Sequence, residues 1–149
     1  MPPDNRWGFR LEPPPHKANL GELHNLSIGR GTLTAEERYR INDHIVRTII
    51  MLSELPFTGH LRGVPEMAGG HHERMDGGGY PKGLTGAEMS AQARMLAIAD
   101  VFEALTAARP YRQAWTVDRV ERHLRSLAGI QFDAAAVDAL FRCCERENR

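Results

Sequence analysis

The stretch HHERMDGGGYPKGL, residues 71–84, decides how this chain is read. His71 and His72 are adjacent, and Glu73, Arg74 and Asp76 follow directly, so two imidazoles and several charged groups are gathered at one place. Gly77, Gly78 and Gly79 then run into Tyr80 and Pro81. Backbone able to take positive φ meets backbone with a fixed φ, which predicts a loop exposing its amides at the edge of a site. Two neighbouring histidines cannot enclose an ion alone, so a metal site requires donors from elsewhere in the chain.

Working upstream, Thr34-Ala35-Glu36-Glu37 has the form of a capping box and opens a helix of about 20 residues. Ile41, Ile45, Thr48, Ile49 and Leu52 recur at the helical period, and His44 falls on the same stripe, which turns it inward. Pro56 and Gly59 break the chain, and Val64-Pro65 begins a short helix, 65–73, that delivers His71 and His72. Residues 1–33 contain Pro2, Pro3, Pro13, Pro14 and Pro15 and no regular apolar period, so they form an irregular segment that Trp7 and Phe9 anchor to the body.

Downstream, Ser90 is the expected N-cap of a helix over 91–107, with Leu96, Ala99, Phe102 and Leu105 on its apolar side. Asp100 lies among Leu96, Ala97 and Ala104, where an ionised carboxylate requires a cation. Arg109-Pro110-Tyr111-Arg112 is an exposed basic turn suited to phosphate, because guanidinium groups pair with phosphate oxygens in two parallel hydrogen bonds. A helical hairpin follows: Thr116 caps a helix with Val117, Val120, Leu124 and Leu127, Gly129 ends it, and Asp133 caps another with Val137, Leu140 and Phe141. No alternating strand pattern is present. The expected fold is all-α, a helical domain over 34–149 preceded by the irregular segment 1–33.

The composition narrows the function classes. Lys plus Arg and Asp plus Glu both number 19, so no overall basic field is available for duplex nucleic acid or an anionic membrane. No apolar run approaches the roughly 20 residues that span a bilayer, and MPPDNRWGFR lacks a signal-peptide core, which gives a cytoplasmic expectation. Cys143 and Cys144 are adjacent, a geometry too strained for a useful disulfide, and are read as reduced thiols.

Taken singly, each candidate has a plain alternative. His44 alone is better explained as a core histidine bonded to a carbonyl than as a ligand, and Asp100 is open to explanation as half of an ion pair with Arg94. Together, His44, His71, His72 and Asp100, each assigned to a helix and accompanied by an arginine pair, point to a divalent metal. Mixed imidazole and carboxylate donors without thiolate suit Fe, Mn or Zn and argue against a purely structural zinc cage. Such a metal activates water for hydrolysis at phosphorus. Glu73 and Asp76 beside the imidazoles are the catalytic candidates, and Lys82, Arg109 and Arg112 neutralise phosphate charge.

These residues resemble the HD-GYP branch of the HD metal-dependent phosphohydrolases, bacterial enzymes that open cyclic dinucleotides such as cyclic di-GMP. LTAEERYRINDH resembles the family's helix ending in a ligand histidine, HHERMDGGGYPKGL its signature loop, and ARMLAIADVFEALTAARPYR its aspartate helix and basic turn. The resemblance covers residues 33–141 and implies an HD-like helical bundle. It also implies His44, His71, His72 and Asp100 as metal ligands, and Tyr80, Lys82, Arg109 and Arg112 as contacts to the cyclic dinucleotide.

One departure is plain. The family's His-Asp pair, whose aspartate bridges two metals, is absent, since the chain contains no His-Asp dipeptide, and His24-Asn25 lacks the anionic oxygen. Residues 4–33 look similar to an interior stretch of longer members, so the chain is expected to be the C-terminal portion of such a protein, a partial bundle. The expectation is therefore an impaired phosphodiesterase holding one metal per chain, with a non-catalytic module binding a cyclic dinucleotide or a protein as the alternative. The stripe Ile41, Ile45, Ile49 and Leu52 is expected to remain partly uncovered, which favours self-association or docking to an N-terminal half or sensor domain.

Overall fold

The computed structural model describes residues 5–16, 33–109 and 112–147. His24 and Asn25, and Pro110 and Tyr111 of the basic turn, lie outside these. Five α-helices form the described fold: α1 Ala35–Ser53, α2 Val64–Gly69 after a 3-10 turn at Gly59–Gly63, α3 Ala91–Thr106, α4 Val117–Leu127 and α5 Ala134–Glu147. Only isolated β-bridges accompany them among the described residues, so the all-α expectation holds. Among the described residues no helix is long and apolar enough to cross a membrane.

α1 starts where the capping box requires. Thr34 Oγ1 accepts from the Glu37 amide at 3.1 Å, and Glu37 Oε2 accepts from the Thr34 amide at 2.8 Å. Two orphan amides are thereby satisfied before the first turn closes. The buried face comprises Ile45, Val46 and Ile49 rather than the expected stripe through Ile41, which is 52% exposed. The centre of the face is rotated toward Val46, and His44 consequently stands exposed at its border instead of pointing inward.

What covers this face is the irregular N-terminal segment. Phe9 is 3% exposed and packs in one cluster with Ile45, Val46 and Ile49, joined by Trp7, Leu11, Ile50 and Tyr80. Asn5 holds Phe9 in place: its side-chain amide donates to the Phe9 carbonyl at 3.0 Å, and its Oδ1 accepts from the Phe9 amide at 2.9 Å. The expectation that Ile45 and Ile49 lie uncovered is thus corrected, because one aromatic from the segment supplies the missing surface.

α2 is shorter than expected. It ends at Gly69 with Gly70 as its cap, so His71 and His72 sit in the turn beyond it and not on the helix. Close packing accounts for the glycines. A Cβ on Gly69 would stand 2.6 Å from Ile49 Cγ1 of α1, and one on Gly70 2.9 Å from Ala93 Cβ of α3. α2 is wedged between the two long helices at bare backbone, and α1 meets the other α-helices only through it.

α3 begins at Ser90, whose hydroxyl accepts from the Ala93 amide at 3.1 Å. Its buried face is Ala93, Ala97 and Ile98, so the expected apolar side through Leu96 and Ala99 is corrected: both are exposed, and Asp100 with them. Asp100 therefore bears none of the burial cost that the sequence suggested. Arg94 pairs instead with Asp133 at 2.8 Å, which ties α3 to the start of α5. Ile98, Val120, Leu124, Phe132, Val137 and Phe141 form a second core among α3, α4 and α5. Gly129 ends the α4 segment at φ 78° and Asp133 Oδ1 caps α5 through the Ala135 amide at 2.9 Å, as the hairpin reading expected.

Candidate metal centre

Three imidazoles converge. His44 from the middle of α1 and His71 and His72 from the turn after α2 each offer one ring nitrogen, and these nitrogens lie within 4.8 Å of one another. His44 and His71 are oriented in the same way. The Nδ1 of His44 faces the Ile41 carbonyl, and the Nδ1 of His71 faces the Ala68 carbonyl at 2.7 Å. A carbonyl accepts only from N–H, so each ring in its neutral form carries its proton on Nδ1 and presents a bare Nε2. His72 Nε2 lies 3.3 Å from His44 Nε2, a spacing at which two nitrogen lone pairs require either a proton or a cation between them. Three neutral imidazole donors fit Zn, Fe or Mn.

Burial pushes the His72 imidazolium pKa down to about 4, helped by the neighbouring His71 and His44 and opposed by Asp100. The neutral ring that a metal requires is therefore the resting state at neutral pH. In the metal-free protein, the unfolded chain binds a proton at His72 near pH 6.5 that the folded chain refuses until about pH 4. Stability from this ring is fully present above pH 6.5 and is lost as pH falls toward 4. The loss expected is about 1–2 kcal/mol, allowing for solvent screening of a half-exposed ring. Urea midpoints at pH 7 and pH 4.5 should show it, and His72→Gln should flatten the slope.

The other candidates divide into those near the imidazoles and those that shape the loop. Asp100 does not join the three-nitrogen group, yet its charge reaches His72 and also raises the Tyr80 hydroxyl pKa, after burial as the larger cause. Glu73 is 2% exposed, and its two oxygens accept from the Lys82 amide at 2.7 Å and the Leu84 amide at 2.9 Å. Asp76 accepts from Arg74 at 2.5 Å and from the Gly78 amide at 2.9 Å, which hold its carboxyl below the usual range. Both carboxylates are thus engaged in folding the loop, and among the described residues neither joins the nitrogen cluster.

Tyr80 stacks on His72, with ring centroids 4.8 Å apart and planes 18° from parallel. Lys82 lines a cavity of about 260 Å³ with Trp7, Ile49, Arg62 and Leu84, whose lining does not include the imidazoles. Arg109 is exposed, and its backbone pairs with that of Arg112 through hydrogen bonds of 2.9 and 3.0 Å. Arg112 turns back into the protein: its guanidinium donates to the Ala104 carbonyl in the last turn of α3, and its Nε is buried. The expected arginine pair is therefore split into one exposed cation and one helix-end cap. Arg112→Met should lower stability by about 1–2 kcal/mol through loss of a charge-assisted bond, while Arg109→Met should cost less than about 0.5 kcal/mol. Parallel thermal melts of the two variants check the asymmetry.

Sequence reading named Phe9 as an anchor of the segment without assigning it to the face of α1, and it missed Gly79 as the point where the loop touches itself. The Asn5 to Phe9 pairing and Gly8 at φ 70° are the local signals of an ordered turn before Phe9. The contact at Gly79 has no signal in a glycine run, because three adjacent glycines look alike.

An HD domain family model matches residues 1–136. The chain is 53% identical over 72 residues to the cyclic di-GMP phosphodiesterase response regulator RpfG of Xanthomonas campestris, covering 48% of this chain and 19% of that protein. It is 55% identical over 62 residues to the 3'3'-cGAMP-specific phosphodiesterase 1 of Vibrio cholerae, covering 42% of this chain and 14% of the relative. It is 34% identical over 125 residues to a cyclic di-GMP phosphodiesterase of Thermotoga maritima, covering 83% and 33%. The chain thus spans a third or less of the length of these relatives. A family model that covers nearly the whole chain, relatives of this kind and the signature loop beside three converging imidazoles agree: the chain belongs to the HD domain family, in its HD-GYP branch.

Proposed function

We propose that this domain takes part in hydrolysis of a phosphodiester bond in a cyclic dinucleotide, at a metal held by His44, His71 and His72 with Asp100 beside them. The observation that carries the reading is the convergence of three imidazole nitrogens within 4.8 Å. Supporting it, relatives 53% and 55% identical over part of this chain carry the names cyclic di-GMP phosphodiesterase response regulator and 3'3'-cGAMP-specific phosphodiesterase. A divalent ion in such a site, Fe or Mn by preference and Zn as the other fit, supplies a Lewis acid and an acidified water. The chain's own residues do the rest. His44 and His71 rest Nδ1 on backbone carbonyls and so turn Nε2 toward the site, Arg109 offers an exposed guanidinium for a phosphate oxygen, and Lys82 adds a cation at the loop.

The absence of a His-Asp dipeptide supports a weaker centre than a paired-metal site, and with it slow turnover. The same observation favours a second reading, a module that binds the cyclic dinucleotide without cleaving it. Calorimetry and a product assay with cyclic di-GMP and with 3'3'-cGAMP, each in Mn and in Fe, separate the two. Turnover that disappears in His71→Ala supports the hydrolase. Tight binding without product supports the module, and neither binding nor product rejects both.

A further inference from the structure

His72 differs from its two partners in how its ring is held. His44 and His71 each lean on a backbone carbonyl through Nδ1, the usual means by which a protein fixes the plane and the proton of a ligating imidazole. Among the described residues the His72 ring has no such carbonyl, and its one hydrogen-bond contact is the Nε2 of His44 itself. Such a ring depends on ring contacts to hold its χ2 torsion, which is broad and soft; the other two imidazoles meet it only at steep angles, His71 at 44° and His44 at 85°.

Tyr80 occupies the place of that anchor. Its ring lies nearly parallel to the imidazole at a 4.8 Å centroid separation, and its amide donates to the His72 carbonyl at 3.1 Å, so the two residues are joined by backbone and by ring. Tyr80 is in turn backed by the N-terminal segment. It packs against the cluster of Phe9, Ile45, Val46 and Ile49, and the Arg10 amide donates to the Pro81 carbonyl at 2.6 Å. Asn5 clamps Phe9 through paired bonds of 2.9 and 3.0 Å.

We propose that Tyr80 is a positioning residue for His72, doing by stacking what carbonyls do for His44 and His71, and that Phe9 of the N-terminal segment is the backstop holding Tyr80 against the ring. The proposal rests on the reading of the three histidines as metal ligands. It assigns the Tyr80 ring face to the imidazole and not to a nucleobase. The phenol oxygen is dispensable in this role, because stacking uses the ring and the backbone bond uses the amide.

The test is Mn and Zn affinity of the purified chain by calorimetry, in the native protein and in Tyr80→Ala, Tyr80→Phe, Phe9→Ala and Val120→Ala. Tyr80→Ala should weaken binding by about 10- to 100-fold, the range expected when the support of a ligating histidine is removed. Phe9→Ala should weaken it by a smaller factor, and Tyr80→Phe should bind as the native chain does. Val120→Ala, which opens the other core, should lower the melting temperature and leave affinity unchanged. Native affinity in Tyr80→Ala overturns the proposal, as does an equal loss in Tyr80→Phe or in Val120→Ala. If the native chain binds neither ion, the metal reading fails, and proton NMR of the His72 ring decides the brace alone. The Tyr80 ring current should shift its signals upfield, the shift should vanish in Tyr80→Ala, and its persistence would refute the stack.

Discussion

Gly79→Ala should be the most damaging single methyl that can be added to this protein, lowering stability by about 3–5 kcal/mol and loosening the whole loop. A Cβ at that position would stand 2.4 Å from Glu73 Cα, 2.5 Å from the Arg74 amide nitrogen and 2.6 Å from the Glu73 carbonyl carbon. All three are backbone atoms, so no side chain can rotate away. The two strands of the loop must separate, and separation breaks the bonds from Glu73 to the Lys82 and Leu84 amides, leaving a buried carboxylate without partners. Neighbouring Gly77 provides the contrast. It sits at φ 75° with its nearest neighbour, Thr85 Cγ2, 3.4 Å from a Cβ, so Gly77→Ala should cost only about 1 kcal/mol of backbone strain. Urea unfolding of both variants settles the matter, and equal midpoints would mean that the loop does not close on itself as described.

Removing the metal, or a ligand to it, should produce the second large effect. An ion that binds only the folded chain stabilises it by about 4 kcal/mol at a thousandfold excess over its dissociation constant. With Mn present in that excess, chelator should therefore lower the native chain's stability by about that amount. His44→Ala and His71→Ala should each weaken binding by more than about 100-fold and make stability indifferent to chelator. Both variants replace an exposed or half-buried ring, so their metal-free stability should stay near the native value. Metal content should reach one ion per chain. Two ions per chain would mean that other carboxylates replace the absent His-Asp pair, and a chelator response in His71→Ala would place the ion elsewhere.

The positions of α1, α3, α4 and α5 were legible because their signals are local. A threonine with a glutamate three residues on, a serine before an alanine-rich run, and a glycine followed by an aspartate each satisfy nearby amides or carbonyls without reference to the rest of the fold. The orientation of those helices was less legible. Apolar residues on α3 run nearly all the way round it, so periodicity could not choose between Leu96 and Ile98, and the face actually buried is the one that meets Val120, Phe132 and Phe141. For α1, the choice depended on Phe9, a residue far away in sequence whose partner surface no helical period encodes. The three histidines were readable as a group because adjacent imidazoles are chemically conspicuous. The contacts of Glu73 and Arg112 were not, since a residue's letter does not tell which amides or carbonyl the fold brings to it.

The wedge of α2 between the long helices bears on how the domain breathes. One core lies along α1 and the N-terminal segment, the other among α3, α4 and α5, and bare backbone at Gly69 and Gly70 is a contact through which the first reaches the second. Two such cores make two cooperative opening units, free to loosen at different free energies. His44 belongs to the first unit, Asp100 to the second, and His71 and His72 follow directly on the glycine wedge between them. Any cation gripped from both sides acts as a rivet across that seam, so its occupancy would set whether the domain fluctuates as one body or as two.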